Sequence, residues 1–309
     1  MNVKPLRRAA LPSKYAPDSN AEYTFKNPRR QYFDLPYSIM KYIIENANGS
    51  VWKKLIQTCK YFYSKKDLYP VEKFVVFSDE SRSIGCTMKI DRKFRHPKSA
   101  VPKLWLYNSF KGGNDPDGYP SDVSTVIPKI FKFDLRCLEL SFQSLKFEEY
   151  QILTASGTIK ELNLFYVNIA HSDGTKVTAD RLFDNLPNLQ KLKCFKYLMK
   201  FKSDTVKKMV EILSGLKNLL AIEFEYFDQS FDLSAFSDFL MKNETVFVHF
   251  EYLDNEFDDA YQQMIDAFIA KIMENPPKII PVIKFPGCGD LKFAEYHKMY
   301  QLELKWFVN

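Results

Sequence analysis

Residues 135–164 read LRCLELSFQSLKFEEYQILTASGTIKELNL and contain one complete unit of a pattern that recurs along the chain. The unit begins with the six-residue phrase LRCLEL, in which the first, fourth and sixth residues are apolar, and the matching phrase IKELNL begins the next unit. Alternation of apolar and other residues within the phrase predicts a short strand, and the intervening EEYQILTAS predicts a helix. One unit is therefore a strand followed by a helix.

The strand phrase recurs at intervals of 24 to 35 residues. The copies are VEKFVV from Val71, VPKLWL from Val101, LRCLEL from Leu135, IKELNL from Ile159, LQKLKC from Leu189, LLAIEF from Leu219, TVFVHF from Thr245 and IPVIKF from Ile280. A strand–helix unit at this period is typical of a solenoid, in which each unit buries its apolar edge against the next. We therefore predict an α/β fold with a parallel sheet on one face and helices on the other. A doubly wound α/β sheet is the competing interpretation, but the strand phrase repeats in register and no glycine-rich βα turn is present.

Residues between and after the inner apolar positions of each phrase are expected to face outward from the sheet. An aromatic residue follows the third apolar position in four of the first six phrases, and a tryptophan stands beside one of them. Large aromatics on a rigid sheet face are typical of protein-binding surfaces. The alternative is that the rings fold under the following loops as core. The candidate target-binding residues are Phe77, Trp105, Tyr107, Phe165 and Phe195.

Upstream of the repeats, residues 34–66 read DLPYSIMKYIIENANGSVWKKLIQTCKYFYSKK and predict two short amphipathic helices. The first is expected to begin near Leu35 and to end at Asn48-Gly49, and Ser50 is expected to cap the second. An apolar band this broad on so short a helix predicts that the helix contacts a second surface outside its own domain. The two apolar stripes of the first helix are Leu35, Ile39 and Ile43 and, beside them, Pro36, Met40 and Ile44.

This segment resembles an F-box. The resemblance is carried by the Leu35-Pro36 start, by Ile39 and the Ile43-Ile44 pair, and by the C-terminal stretch KLIQTCKYFY, which contains Cys59 and Phe62. A compact F-box followed by aromatic-rich repeats is most similar to the expanded nematode F-box proteins.

The repeats over residues 71–290 resemble leucine-rich repeats, with one departure. The Asn or Cys that this family places three residues after the third apolar position is missing, which puts the family's ladder of hydrogen-bonded asparagines in doubt. The residues that stand there are Asp79, Ser109, Gln143, Val167, Tyr197 and Phe227.

The F-box resemblance implies a non-catalytic, substrate-recognition subunit of a Skp/cullin/F-box ubiquitin ligase. Such a subunit binds a Skp-family adaptor, and through it a cullin, while its repeats bind a target protein. The implied organisation is a flexible basic arm at 1–30, F-box helices at 31–68 and a leucine-rich-repeat-like solenoid at 69–309. A free-standing repeat scaffold whose first helices only cap the solenoid is the alternative. The implied adaptor-binding residues are Leu35, Pro36, Ile39, Ile43, Ile44, Leu55, Cys59 and Phe62.

The charge of the chain is concentrated at its start. The net charge is +6, and residues 1–31 carry seven basic and two acidic groups, or +5, so the remainder is nearly neutral. We therefore expect no nucleic-acid binding by the folded body; binding through the basic arm is a third, weaker interpretation.

Composition and motifs do not favour an enzyme. The sequence contains no GxSxG, HExxH, GxGxxG or GxxxxGK motif, and its five cysteines show no CxxC spacing. We expect no catalytic residues, no cofactor, no metal and no disulfide framework. Because no signal-peptide core and no apolar run of membrane-spanning length occurs, we expect no membrane association and a cytoplasmic or nuclear location.

Overall fold

A computed structural model describes residues 35–78, 86–91, 93–95, 103–113, 123–195, 201, 204–254 and 256–307. The basic arm predicted at 1–30 lies outside the described residues. Internal contacts divide the chain into two compact units, 1–43 and 44–309. That division falls inside the segment 31–68 that the sequence assigns to F-box helices.

The described chain is mixed α/β. Its helices are α1 (Tyr37–Asn46), α2 (Gly49–Thr58), α3 (Lys60–Tyr63), α4 (Phe147–Thr154), α5 (Thr205–Ser214), α6 (Leu233–Lys242), α7 (Asp259–Glu274) and α8 (Ala294–Phe307). Its strands are β1 (Tyr69–Ser78), β2 (Cys86–Ile90), β3 (Lys93–Arg95), β4 (Leu104–Gly112), β5 (Ile130–Phe133), β6 (Cys137–Ser141), β7 (Ser144–Lys146), β8 (Glu161–Phe165), β9 (Asn168–Ala170), β10 (Lys191–Phe195), β11 (Ala221–Phe227), β12 (Phe247–Tyr252) and β13 (Val282–Lys284). Short 3-10 helices occupy Val123–Thr125, Ile127–Lys129, Ala179–Phe183 and Leu291–Phe293. None of the described helices is long and apolar enough to cross a membrane.

One large sheet organises the second unit. Its strand order is β13-β12-β11-β10-β8-β6-β4-β1-β2-β3, with β5 paired to the side of β4. Neighbours are parallel from β1 through β13, and β2 and β3 are added antiparallel to β1. From β1 to β13 the order in the sheet follows the order in the chain, without the reversal that marks the switch point of a doubly wound sheet. β7 and β9 form a second, two-stranded parallel sheet.

The repeated phrase sets the register in the middle of the sheet. The fourth residues of five consecutive phrases form one cross-strand row, and all five are buried. In β6, β8 and β10 the residues that flank them along the strand remain at least partly exposed. Each fully buried Leu, Ile, Val or Phe contributes about 1.5–3 kcal/mol to folding. The row packs with the buried faces of α4 to α7 in one continuous core. Its members are Leu138, Leu162, Leu192, Ile222 and Val248.

The outer phrases are placed differently from the prediction. VPKLWL was expected to align Leu104 with Leu138, but Phe110 pairs with Leu138 and Leu104 pairs with Ile130 of β5. β4 is nine residues long, so β5 covers its first half and β6 its second half. IPVIKF is also shifted, because Ile283 pairs with Phe250.

The position where leucine-rich repeats place Asn or Cys is filled in two ways. Gln143 is buried, and its amide replaces such a hydrogen bond: Oε1 accepts from the Val123 N–H at 3.2 Å, and Nε2 donates to the Ser141 carbonyl at 3.1 Å. Val167 and Phe227 are apolar and buried at the same position. Packing therefore takes over from hydrogen bonding in those repeats; Asp79 and Tyr197 lie outside the described residues.

Candidate functional site

Five aromatic side chains lie in contact along the carboxyl edge of the central strands, and we call them the aromatic shelf: Phe142, Phe165, Tyr166, Phe195 and Tyr226. Phe165 and Phe195 occupy paired positions on β8 and β10, and their rings stack with centroids 4.2 Å apart. Phe142 stacks on Tyr166 at 4.8 Å, and Phe195 meets Tyr226 edge-on at 4.6 Å. Each such pair contributes about 0.5–1.5 kcal/mol beyond area burial.

Three shelf residues adopt backbone conformations that favour glycine. The φ angles of Phe142, Tyr166 and Tyr226 are 53°, 51° and 61°. The Phe142 N–H donates to the Phe165 carbonyl at 2.7 Å, and the Tyr166 N–H donates to the Phe195 carbonyl at 3.1 Å. A bulky residue in this region costs of order 1–3 kcal/mol, and such strain persists only where the surroundings enforce it. The shelf thus carries the same backbone strain near the carboxyl ends of β6, β8 and β11.

The shelf remains open to solvent. Phe142 is 43% exposed, and the other four side chains are partly exposed. The outward prediction for Phe165 and Phe195 is thus confirmed, whereas sequence reasoning missed Phe142, Tyr166 and Tyr226. The available signal was an aromatic residue two positions after the phrase, as in SFQ, LFYV and FEYF. The positive φ angles of these three residues, which the phrase does not encode, place their rings beside Phe165 and Phe195.

Charged side chains cover the outward face next to the shelf. Lys193 on β10 lies 2.9 Å from Glu223 and 3.0 Å from Glu225, and Lys284 lies 2.7 Å from Glu251. Burial lowers the pKa of Lys193, but its hydrogen bonds to Glu223 and Glu225 outweigh that effect and raise it. These ion pairs tie β10, β11, β12 and β13 together across the sheet.

His249 on β12 lies between the carboxylates of Glu223 and Glu251. Its Nδ1 is 4.0 Å from Glu223, and its Nε2 is 3.7 Å from Glu251. The contact with His249 and the Lys193 ammonium hold the pKa of Glu223 below its ordinary value, against the opposing effect of burial. Glu223 therefore stays ionised at neutral pH.

Glu223, Glu225 and His249 are also the group of described residues that could hold a metal ion, with donor atoms within 4.8 Å of one another. The Lys193 ammonium contacts both carboxylates of this group. A lysine already supplies the positive charge that a metal would bring, so the arrangement is that of an ion-pair network.

Trp105 is not an exposed anchor, and its prediction as part of the target-binding surface is wrong. Its side chain is buried, with 2% of the residue exposed. The indole Nε1 donates to Asp134 Oδ2 at 2.7 Å, and the Lys132 ammonium lies 4.3 Å from the ring centroid. The extra length of β4 places Trp105 beside β5, where Lys132 and Asp134 contact its side chain.

Tyr107 and Phe77 do not lie in the row that holds Phe165 and Phe195. The pairing of Ser109 with Cys137 places Tyr107 six residues before the position that would align with Phe165. Tyr107 instead lies against Gly49, where an added Cβ would overlap the Tyr107 side chain. Both rings remain partly exposed, so they are available at the surface but separate from the shelf.

The described part of the first unit, residues 35–43, exposes most of its apolar side chains. Leu35 is 50%, Tyr37 76%, Ile39 45% and Tyr42 66% exposed, and Pro36 is exposed. Ile43 is partly exposed. The Pro36 carbonyl accepts from the Ile39 N–H at 3.0 Å, so the first helical turn begins at the proline, as its missing N–H allows.

The remaining predicted adaptor-binding residues belong to the second unit. Ile44, Leu55 and Cys59 are partly exposed, but Phe62 is 6% exposed and meets Trp52 edge-on. The prediction that Phe62 contacts an adaptor is therefore wrong: it lies on the separate helix α3, which packs under α2. Cys59 has an extended backbone and separates the two helices.

Helix α2 is fixed to the sheet by its first residues. Asn48, not Ser50, caps it, with Oδ1 accepting from the Val51 N–H at 3.0 Å. Lys53 bonds Asp91 at 2.8 Å, and Asp91 accepts two backbone N–H groups at the bulge of β1, from Glu72 and Lys73. Burial lowers the pKa of Lys53, but the bonds to Asp91 and Glu72 outweigh it, and the net shift is upward.

A groove of about 780 Å³ runs between the start of α2 and the sheet. Lys54, Asp134, Arg136 and Thr158 are among its lining residues. Its charges are mixed, so it favours no single class of ligand.

A scan against protein-family models finds no family that matches the chain, and a search of curated proteins finds no match.

Proposed function

We propose that the protein is a substrate-recognition subunit of a Skp/cullin/F-box ubiquitin ligase. The exposed apolar side chains of residues 35–43 bind a Skp-family adaptor and through it a cullin, and the repeat surface binds a target protein. In this role the chain performs no chemistry itself and acts inside the cell, in the cytoplasm or the nucleus. The sequential parallel sheet supports the finer description of 69–309 as a leucine-rich-repeat-like solenoid.

The observation that carries the adaptor assignment is the apolar surface of residues 35–43. Leu35, Tyr37, Ile39 and Tyr42 are each close to half exposed or more. A short helical segment with that much open apolar surface fits a helix-in-groove partner. The resemblance of its Leu35-Pro36 start to an F-box names the class of partner.

A free-standing scaffold with a helical cap is the second candidate, and helix α2 favours it. Apart from Val51, the exposed residues of α2 are polar: Ser50, Lys54, Gln57 and Thr58. Its inner side packs on the sheet, where Gly49 contacts the Tyr107 side chain and Lys53 forms an ion pair with Asp91. A polar outer face over a packed inner face is what a solenoid cap requires.

Adaptor binding distinguishes the two candidates. The double variant Leu35→Ala/Ile39→Ala removes two exposed apolar side chains, so it is expected to leave folding intact and to weaken adaptor binding by roughly thirtyfold or more. The measurement is biolayer interferometry of the full chain on an immobilised, purified Skp-family adaptor. Leu291→Ala, which changes an exposed leucine of the second unit, is the matched control and should bind as wild type. Equal binding by both variants, or none by the wild type, would support the scaffold instead.

A further inference from the structure

The aromatic shelf continues directly into two acidic loops at the same edge of the sheet. Because β6, β8, β10, β11 and β12 are parallel, their carboxyl ends share one edge. The shelf occupies that edge from β6 to β11. The loops after β11 and β12 follow on, and we call their described residues, 228–232, 253–254 and 256–259, the acidic loops.

The acidic loops contain only one sign of charge. Their ionisable residues are all acidic, without a Lys or Arg: Asp228, Asp232, Asp254, Glu256, Asp258 and Asp259. The wider segment 221–266 has twelve Asp or Glu residues against one Lys, a net charge of −11 in a chain whose total is +6. This is the opposite sign to the rest of the molecule, so this segment attracts cationic groups.

Hydrogen bonds hold the two loops side by side. The Gln229 N–H donates to Asp254 Oδ2 at 2.9 Å, and the Asp258 N–H donates to Gln229 Oε1 at 3.3 Å. The Ser230 N–H donates to Asp228 Oδ1 at 2.9 Å. The carboxylates of Asp228 and Asp254 are therefore held in place before a partner binds, which lowers the entropy cost of binding to them.

Four of these carboxylates are open to solvent. Asp228, Glu256, Asp258 and Asp259 are exposed, and within the described part of the chain none of them forms an ion pair. Asp258 also caps α7, with Oδ1 accepting from the Tyr261 N–H at 2.8 Å. By contrast, Glu225 and Glu251 on the sheet are neutralised by Lys193 and Lys284. The open negative charge thus lies at the loops, next to Tyr226 of the shelf.

We propose that the aromatic shelf and the acidic loops together bind an arginine-rich segment of a partner protein in extended conformation. A guanidinium group stacks on aromatic faces and pairs with carboxylates through two parallel hydrogen bonds. Lysine does the first less well and the second not at all. The surface offers both kinds of contact side by side, which fits arginine better than any other side chain.

The dimensions of the edge fit a short peptide. From β6 to β12 there are four strand spacings of about 4.8 Å, or roughly 19 Å. An extended chain advances about 3.3 Å per residue, so roughly six residues would reach from Phe142 to the loop after β12. This inference names the class of target for the proposed recognition subunit, and it rests on that function only for its biological meaning.

The test uses the full chain without any adaptor, and fluorescence anisotropy as the readout. The probes are three fluorescein-labelled peptides of about ten residues, in which glycine alternates with arginine, lysine or glutamate. The arginine peptide is expected to bind saturably and to weaken several-fold as salt rises. The lysine peptide should bind roughly threefold to tenfold more weakly, and the glutamate peptide should not bind.

Variants locate the binding. Phe142→Ala removes the most exposed shelf ring, and Phe195→Leu keeps apolar volume but removes a π face; each should weaken the arginine peptide roughly threefold to tenfold. Asp228→Asn with Glu256→Gln should weaken it and reduce its salt dependence. Phe131→Ala and Asp67→Asn, which change an exposed ring and an exposed carboxylate elsewhere, are the matched controls.

Three results would overturn the inference: no binding of the arginine peptide at low salt, equal binding of the glutamate peptide, or undiminished binding by both shelf variants. Because no adaptor is present, a failure here leaves adaptor binding untouched. A chain that binds the adaptor but not the arginine peptide keeps the proposed function and loses only this target class.

Discussion

At the residue scale, the same kind of side chain plays opposite parts according to where its strand ends. Trp105 is the second residue of the nine-residue β4, beside β5, and is buried, with its indole N–H bonded to Asp134. Phe195 closes a five-residue strand and stays partly exposed. Both occupy outward positions of the alternating pattern, so exposure depends on what packs beyond the strand.

Trp105→Ala is expected to lower the free energy of unfolding by about 3–5 kcal/mol, because it leaves a large cavity and an unpaired Asp134. Trp105→Phe keeps most of the packing and should cost only about 1–2 kcal/mol. Chemical denaturation of both variants beside the wild type measures the difference. An alanine variant as stable as the wild type would show that the ring is not part of the core.

At the element scale, helix α2 depends on one close approach to the sheet. Gly49 lies flat against Tyr107, and no larger residue fits there without a shift of the helix. The ion pair of Lys53 with Asp91 then fixes the helix over the bulge of β1. The glycine has an ordinary φ angle, so it is required by this contact and not by its backbone freedom.

Gly49→Ala should therefore destabilise the second unit by about 1–3 kcal/mol, since the added methyl overlaps the Tyr107 side chain. Gly289→Ala is the control, because a Cβ there meets nothing within 4 Å. Thermal unfolding should show a lower midpoint for Gly49→Ala than for the wild type and an unchanged midpoint for Gly289→Ala. Equal midpoints would mean that α2 is not held by this contact.

At the scale of the whole molecule, the two proposed binding activities belong to different compact units. The exposed apolar residues 35–43 lie in the first unit, and the aromatic shelf and acidic loops lie in the second. Substitutions that share no partners usually have additive effects. Adaptor binding and target binding should therefore be separable by mutation.

We expect Phe142→Ala to leave adaptor affinity within about twofold of wild type, and Leu35→Ala/Ile39→Ala to leave arginine-peptide affinity equally unchanged. Interferometry on the adaptor and anisotropy with the peptide, applied to both variants, give the four affinities needed. A loss of both activities in either variant, with folding intact by circular dichroism, would show that the units are coupled.

The sequence alone determined the central sheet. The period-2 phrase specifies which side chains point inward, and its regular recurrence from Leu138 to Val248 was enough to set five strands in one register. It also placed Phe165 and Phe195 on the outward face. These features are local, because each follows from alternation within a few residues.

Only the tertiary structure decided the rest. The length of β4 and the bulge in β1 shifted the outer strands, burying Trp105 and separating Tyr107 from the shelf. Positive φ angles at Phe142, Tyr166 and Tyr226 brought three further rings into the shelf, and parallel pairing set the acidic loops beside them. Register between long strands and strained turns depends on contacts between residues far apart in the chain, and a local pattern cannot encode these.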